Sequence, residues 1–177
     1  MKIWTAAGAA FLCAACASAP TATSNVVGPR AQATLEARSG SAVEGVVTFR
    51  PVDDGLVAAV EIRGLAPNSE HGFHVHEKGD CSAPDASSAG GHFNPGGQPH
   101  GMPGSGAHHA GDIQNLRADA NGAVRTEVEL PGLTIVGGPT SIVGRAVVVH
   151  RDPDDYTSQP AGNSGPRIAC GVISAQP

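Results

Sequence analysis

The sequence predicts an all-β domain: a Greek-key β-sandwich or barrel of about eight antiparallel strands with two long functional loops. Three observations carry that expectation. The 177-residue chain has 24 glycines and 14 prolines, and its 40% hydrophobic residues are spread as short runs between turn clusters. Several of those runs alternate with the period of two that puts every second side chain on one face of a strand. No long 3.6-residue periodicity runs anywhere, so no sizeable helix is expected. The length suits one well-cored domain.

Residues 1–17, MKIWTAAGAAFLCAACA, read as a signal peptide: a single Lys2, an apolar run from Ile3 to Leu12, then small residues. The run is too short to span a bilayer stably. Two processing routes are open, cleavage after Ala15-Cys16-Ala17 or lipidation of Cys16, with Cys13 standing where lipoprotein signals usually carry Leu. Either route exports the protein to the periplasm or cell envelope, and the second anchors it to a membrane through Cys16. Residues 18–30 form a Pro/Ser/Thr/Ala-rich flexible tether with nothing to build a core. The folded domain is expected over residues 31–177. Its charge is negative, -5 for the whole chain from 11 Lys+Arg against 16 Asp+Glu, which argues against nucleic acid as a partner.

Within the domain, Ala33, Leu35 and Ala37 share one parity, Val47 and Phe49 another pair, and Val57, Ala59 and Glu61 mark a third run. Ser39-Gly40 and Asp53-Asp54-Gly55 punctuate them as hairpin turns, giving a three-stranded meander. Gly64 to Asn68 breaks the pattern before a strand near Gly72. After Asp112, strands are expected at Ile113–Leu116, Ala123–Leu130 and Ala146–His150, and the last from Arg167 to Ile173.

Six of the eight histidines lie between Gly72 and Asp112. His74 and His76, two apart in GFHVHE, project from one face of a strand and can grip one ion. His92, His100, His108, His109 and Asp112 follow along a Gly/Pro-rich loop, enough for a second ion. A disordered metal sponge would repeat one unit, whereas here the gaps are unequal and a carboxylate ends the set. Imidazole suits copper and zinc, and the carboxylate belongs more naturally with zinc. A loop this long is rare in a compact domain unless it has a function. His150 ends the apolar run RAVVVH, so a rigid strand delivers it, and a second Gly/Pro/Asp-rich loop follows to Pro166. His71, three residues before His74, should face away from the pair and is read as a hydrogen-bonding structural histidine. With Cys13 and Cys16 in the export segment, Cys81 and Cys170 remain as one pair. In an oxidising compartment that pair is most simply a disulfide, two buried free thiols being the alternative.

The segments GFHVHEKGDC, GGHFNP, HHAGD, VVVHRDPDD and GNSGPRIACGV, in this order, resemble copper/zinc superoxide dismutase of the bacterial exported type, from about Ala31 to the end. The resemblance implies copper ligands His74, His76, His92 and His150, and zinc ligands His92, His100, His109 and Asp112, with His92 bridging the two ions. The family's spacing of three residues from histidine to aspartate selects His109 over His108. It also implies that Asp154 links a copper histidine to a zinc histidine, the alternative being a solvated loop acid among Asp152, Asp154 and Asp155. Arg167, otherwise a surface arginine, would dock the substrate superoxide, and His92 would release copper on reduction and carry a proton. The loop from His150 to Arg167 is shorter than in eukaryotic members, and the only lysines are Lys2 and Lys78, so substrate guidance must differ, with Lys78 a candidate for part of it. Monomer and homodimer both stay open. The competing reading is a non-enzymatic metal-binding or copper-delivery relative on the same fold. A zinc-free, copper-only dismutase is disfavoured by the presence of His100, His109 and Asp112.

Overall fold

The structure is a computed structural model that describes residues 28–177, together with Met1. The expected signal peptide with Cys13 and Cys16, and the tether up to Val27, lie outside the described residues.

Among the described residues ten strands follow one another: β1 Arg30–Ala37, β2 Glu44–Val52, β3 Gly55–Arg63, β4 Glu70–His71, β5 Phe73–His76, β6 Leu116–Arg117, β7 Val124–Pro131, β8 Ala146–His150, β9 Arg167–Val172 and β10 Ser174–Gln176. Among the described residues the only helical element is a 3-10 turn at Ser87–Ala89. One antiparallel ladder runs in the order β5-β8-β9-β1-β2-β3-β7, with β10 also on β1, and β4 and β6 form a separate pair. The expected meander is β1-β2-β3. From β3 the chain crosses to the far end of the ladder as β5, and from β7 it crosses again to β8. Those two crossings make the Greek key, and the sheet curls into a half-barrel around its core.

The core face is built by alternation. Ala31, Ala33 and Leu35 of β1, Val47 and Phe49 of β2, and Leu56, Ala58, Val60 and Ile62 of β3 are all buried together. Ala37 leaves this face because β1 changes partner at its end, from β2 to Cys170 and Ala169 of β9. On β3 the residues singled out from the sequence, Val57, Ala59 and Glu61, lie on the opposite parity, opposite Glu129, Glu127 and Arg125 of β7. The apolar run LVAAV has apolar residues on both parities, so alternation alone does not say which face is inward.

β5 and β8 are buried along their whole length. Phe73, Val75, Val147 and Val149 enter the main core, whereas Ala146 and Val148 join Ala86, Ala89, Cys81 and Cys170 in a smaller cluster on the other side. Burial of each large apolar side chain contributes about 1.5–3 kcal/mol. A strand covered on both faces is stiff, and its second face here carries the histidines. That cover comes from the loop joining β5 to β6, which the Cys81–Cys170 disulfide staples to β9 with Cα atoms 5.8 Å apart.

Candidate metal centre

Period two on β5 sends His74 and His76 to the face away from Phe73 and Val75, and His150 extends β8 just past a register shift at Val149. The long loop then folds back twice along β5. Phe93 N–H donates to Val75 O (2.8 Å), Val75 N–H to Gly111 O (2.9 Å) and Gly111 N–H to Phe93 O (2.8 Å). Phe93 is sunk in the core, which anchors the first pass. The second pass needs Gly111, since a Cβ there would run into the Val75 carbonyl and come within 3.0 Å of Phe93 Cβ. These passes set His92 opposite His76 and Asp112 opposite His74.

The outcome is two buried groups that share a member. His74, His76, His92 and His150 converge in one, and His92, His100, His109 and Asp112 in the other, with the donor atoms of each group within 4.8 Å of one another. The seven residues named from the sequence are all there. His108 is in neither group; its Nδ1–H donates to the carbonyl of His109 at 2.7 Å. His71 turns away as expected, donating from Nδ1 to His150 O (2.8 Å) with Ser69 Oγ 2.6 Å from Nε2.

The donor chemistry fits metal ions. His74 Nδ1, His92 Nε2 and His100 Nδ1 are buried ring nitrogens with no hydrogen-bond partner among the described residues, a costly arrangement unless something else takes the lone pair. Around Asp112 Oδ1 stand His92 Nδ1 at 2.8 Å, His100 Nδ1 at 3.1 Å and His109 Nδ1 at 3.2 Å. Four donors held about 2.0 Å from one ion would be about 3.3 Å apart, close to these separations. The His100 Nδ1 contact is close enough for an ion pair but lacks hydrogen-bond geometry, so the lone pair stays available.

Electrostatics favour the ligating forms. Burial, with His92 nearby, pushes His74 and His76 well below the ordinary imidazole value, and burial pushes His150 down to about 4. Neutral imidazoles keep a lone pair to donate. Burial works against ionisation of Asp112, but hydrogen bonds from the His92 ring and the N–H groups of His109 and Gly101 outweigh it and hold the carboxyl well below the usual carboxylate range.

Asp154 links the groups: His74 Nε2–H donates to Oδ2 (2.7 Å) and His100 Nε2–H to Oδ1 (2.9 Å). Both rings are thereby turned so that Nδ1 faces the site. Asn115, missed in the sequence, grips the Asp154 backbone, accepting from its N–H at 2.9 Å and donating to its carbonyl at 3.0 Å. Gly162, at φ 65°, is needed because a Cβ would collide with the Asp154 carboxylate and lie 2.7 Å from His100 Nε2. Arg167 opens β9 half-buried and donates to Ala86 O (2.7 Å) and Gly90 O (2.6 Å). Gly90 O also accepts from His76 Nδ1 (3.0 Å), so the guanidinium and a site histidine share one carbonyl. Arg167, His150 and Gln159 line a surface depression of ≈ 240 Å³. Lys78 is exposed just beyond β5.

Comparison with known proteins agrees in sequence and in fold. The family model described as copper/zinc superoxide dismutase (SODC) matches residues 43–173. Superoxide dismutase [Cu-Zn] 2 of Aquifex aeolicus is 44% identical over 135 residues, 74% of this chain and 79% of that protein. Superoxide dismutase [Cu-Zn] of Saccharomyces cerevisiae is 41% identical over 150 residues, 80% of this chain and 96% of its own. Among solved structures, a SOD-like protein from Bacillus subtilis superposes with a TM-score of 0.73 at 39% identity, covering 79% of this chain and 95% of that one.

Proposed function

The chain belongs to the copper/zinc superoxide dismutase family, and from that premise we propose that it converts superoxide to dioxygen and hydrogen peroxide as an exported enzyme holding one copper and one zinc. The observation that carries this reading is the pair of buried donor groups joined at His92 and flanked by the Arg167 guanidinium.

His74, His76, His92 and His150 would hold copper, and His92, His100, His109 and Asp112 zinc. Copper, when bound, supplies one-electron redox in both directions, so that one superoxide is oxidised to dioxygen while a second, with two protons, is reduced to hydrogen peroxide; zinc is redox-inert. The protein's residues do the rest. Arg167, held by two carbonyls, keeps a fixed positive charge at the depression and draws in the anion. His92 has Nδ1 committed toward Asp112 and Nε2 facing the other group, so Nε2 is the atom that takes up a proton and gives it to the reduced product. Asp154 holds His74 and His100 in the tautomer that leaves Nδ1 free. The first residues, read as an export signal, support action outside the cytoplasm.

The test is metal content and superoxide decay on the same purified, reconstituted sample. One copper and one zinc per chain, with decay proportional to copper, is the expected result. A fully loaded protein that leaves superoxide decay at the background rate would overturn the enzymatic reading in favour of copper delivery.

A further inference from the structure

The site residues are not held equally. His74, His76 and His150 stand on laddered strands, His92 and Asp112 face β5 across bridges, and His109 N–H donates to Asp112 Oδ2 at 2.8 Å. His100 has none of this. It lies among Gly96, Gly97, Pro99, Gly101 and Pro103, and its backbone N–H and C=O enter no backbone–backbone hydrogen bond among the described residues. One side chain meets both groups. Gln159 Oε1 accepts from His100 N–H at 2.9 Å, and Gln159 Nε2 donates to His100 O at 2.9 Å.

We infer that Gln159, in the loop between β8 and β9, is a positioning residue for the zinc side of the centre, its amide acting as the ladder partner that the backbone of His100 lacks. With the Asp154 Oδ1 bond to the ring, every hydrogen bond of His100 among the described residues runs to that one loop. The direction of Nδ1 is therefore set from outside its own segment. A ligand pre-set in this way leaves less ordering for the metal to do, which raises affinity. Gln159 also lines the depression beside Arg167 and His150, so the same amide couples zinc retention to the wall of the anion path. The inference rests on the reading of His100 as a zinc ligand.

The experiment uses the full metal-loaded protein and compares native with Gln159→Met, which keeps the length of the side chain, and Gln159→Ala. Zn(II) and Cu(II) affinities are measured separately by competition with chromophoric chelators, and Co(II) is placed in the zinc position to read its visible absorption. Expected for both variants is zinc binding about tenfold weaker, copper affinity within about twofold of native, and altered cobalt bands. A merely structural role would loosen both metals together, and that result overturns the inference. Zinc affinity in Gln159→Met equal to native also overturns it. His100→Ala separates the two claims: if it keeps native zinc affinity, the ligand reading has failed, whereas loss of zinc there with none in Gln159→Met refutes the clamp alone.

Discussion

Arg167 gives two of its N–H donors to Ala86 and Gly90, so its charge is fixed in place rather than swept about by a flexible side chain. At roughly 5 Å, in an effective dielectric of about 20, one unit charge contributes on the order of 3 kcal/mol to holding an anion, and solvent around a half-exposed group reduces that. We therefore expect Arg167→Ile to lower the catalytic rate constant by about ten- to a hundredfold with metals retained, and Arg167→Glu to lower it further. Arg167→Lys, which keeps the charge but not the two-carbonyl grip, should fall between native and Arg167→Ile. Pulse-generated superoxide decay on metal-matched samples reads these rates. An unchanged rate in Arg167→Glu would remove the residue from the mechanism. The chain as a whole is net negative, -5 by formal count, so attraction of the substrate is a local effect. Native activity should fall as salt rises, and the variants lacking the cation should be less salt-sensitive.

At the scale of elements, the centre is a stiff pair of strands covered by two loops, and the disulfide is what ties the longer loop to β9. Cys81 and Cys170 are 89 residues apart, and closing such a loop restricts the unfolded chain by about 4 to 5 kcal/mol in the entropy model. Cys81→Ser paired with Cys170→Ser should cost stability of that order, measured by denaturant unfolding. It should also lower activity, because Ala86 and Gly90, the residues that grip Arg167, lie in the freed segment. Full activity and native stability in the double variant would show that the bridge holds neither. What the sequence made legible here follows from local rules. The two-residue step of His74 and His76 and the delivery of His150 by an apolar run are strand properties, and Cys81 and Cys170 are the one cysteine pair outside the first 17 residues. What stayed hidden depends on non-local contact. Asn115 and Gln159 act through amides whose partners lie 39 and 59 positions away, and no spacing marks them. On β3, a run with apolar residues on both parities left the inward face undecided until β7 lay beside it.

At the scale of the whole molecule, the Greek key brings residues from opposite ends of the domain to one buried place, and that concentration of imidazole has a cost when no metal is bound. His74, His76 and His150 are held neutral by burial, whereas in the unfolded chain they titrate near 6.5. A histidine whose folded pKa is depressed contributes nothing to the pH dependence above the unfolded value. As pH falls below about 6.5 the unfolded chain takes up protons that the folded one refuses, so stability declines until the folded pKa is reached. For His150, with a folded value of about 4, the loss amounts to about 2 kcal/mol by pH 5 and about 3 kcal/mol by pH 4. Asp112, held below the usual carboxylate range, adds a loss in the same direction at still lower pH. The metal-free protein should therefore show a melting temperature that drops steadily between pH 7 and pH 4. The protein loaded with both metals should hold its melting temperature further down the scale, because ligated nitrogens cannot take protons until the ions leave. Calorimetry of the two forms at matched ionic strength makes the comparison. A metal-free form as stable at pH 4.5 as at pH 7 would mean that the histidine cluster opens to solvent without its ions, and that the metals, rather than the Greek key, close the site.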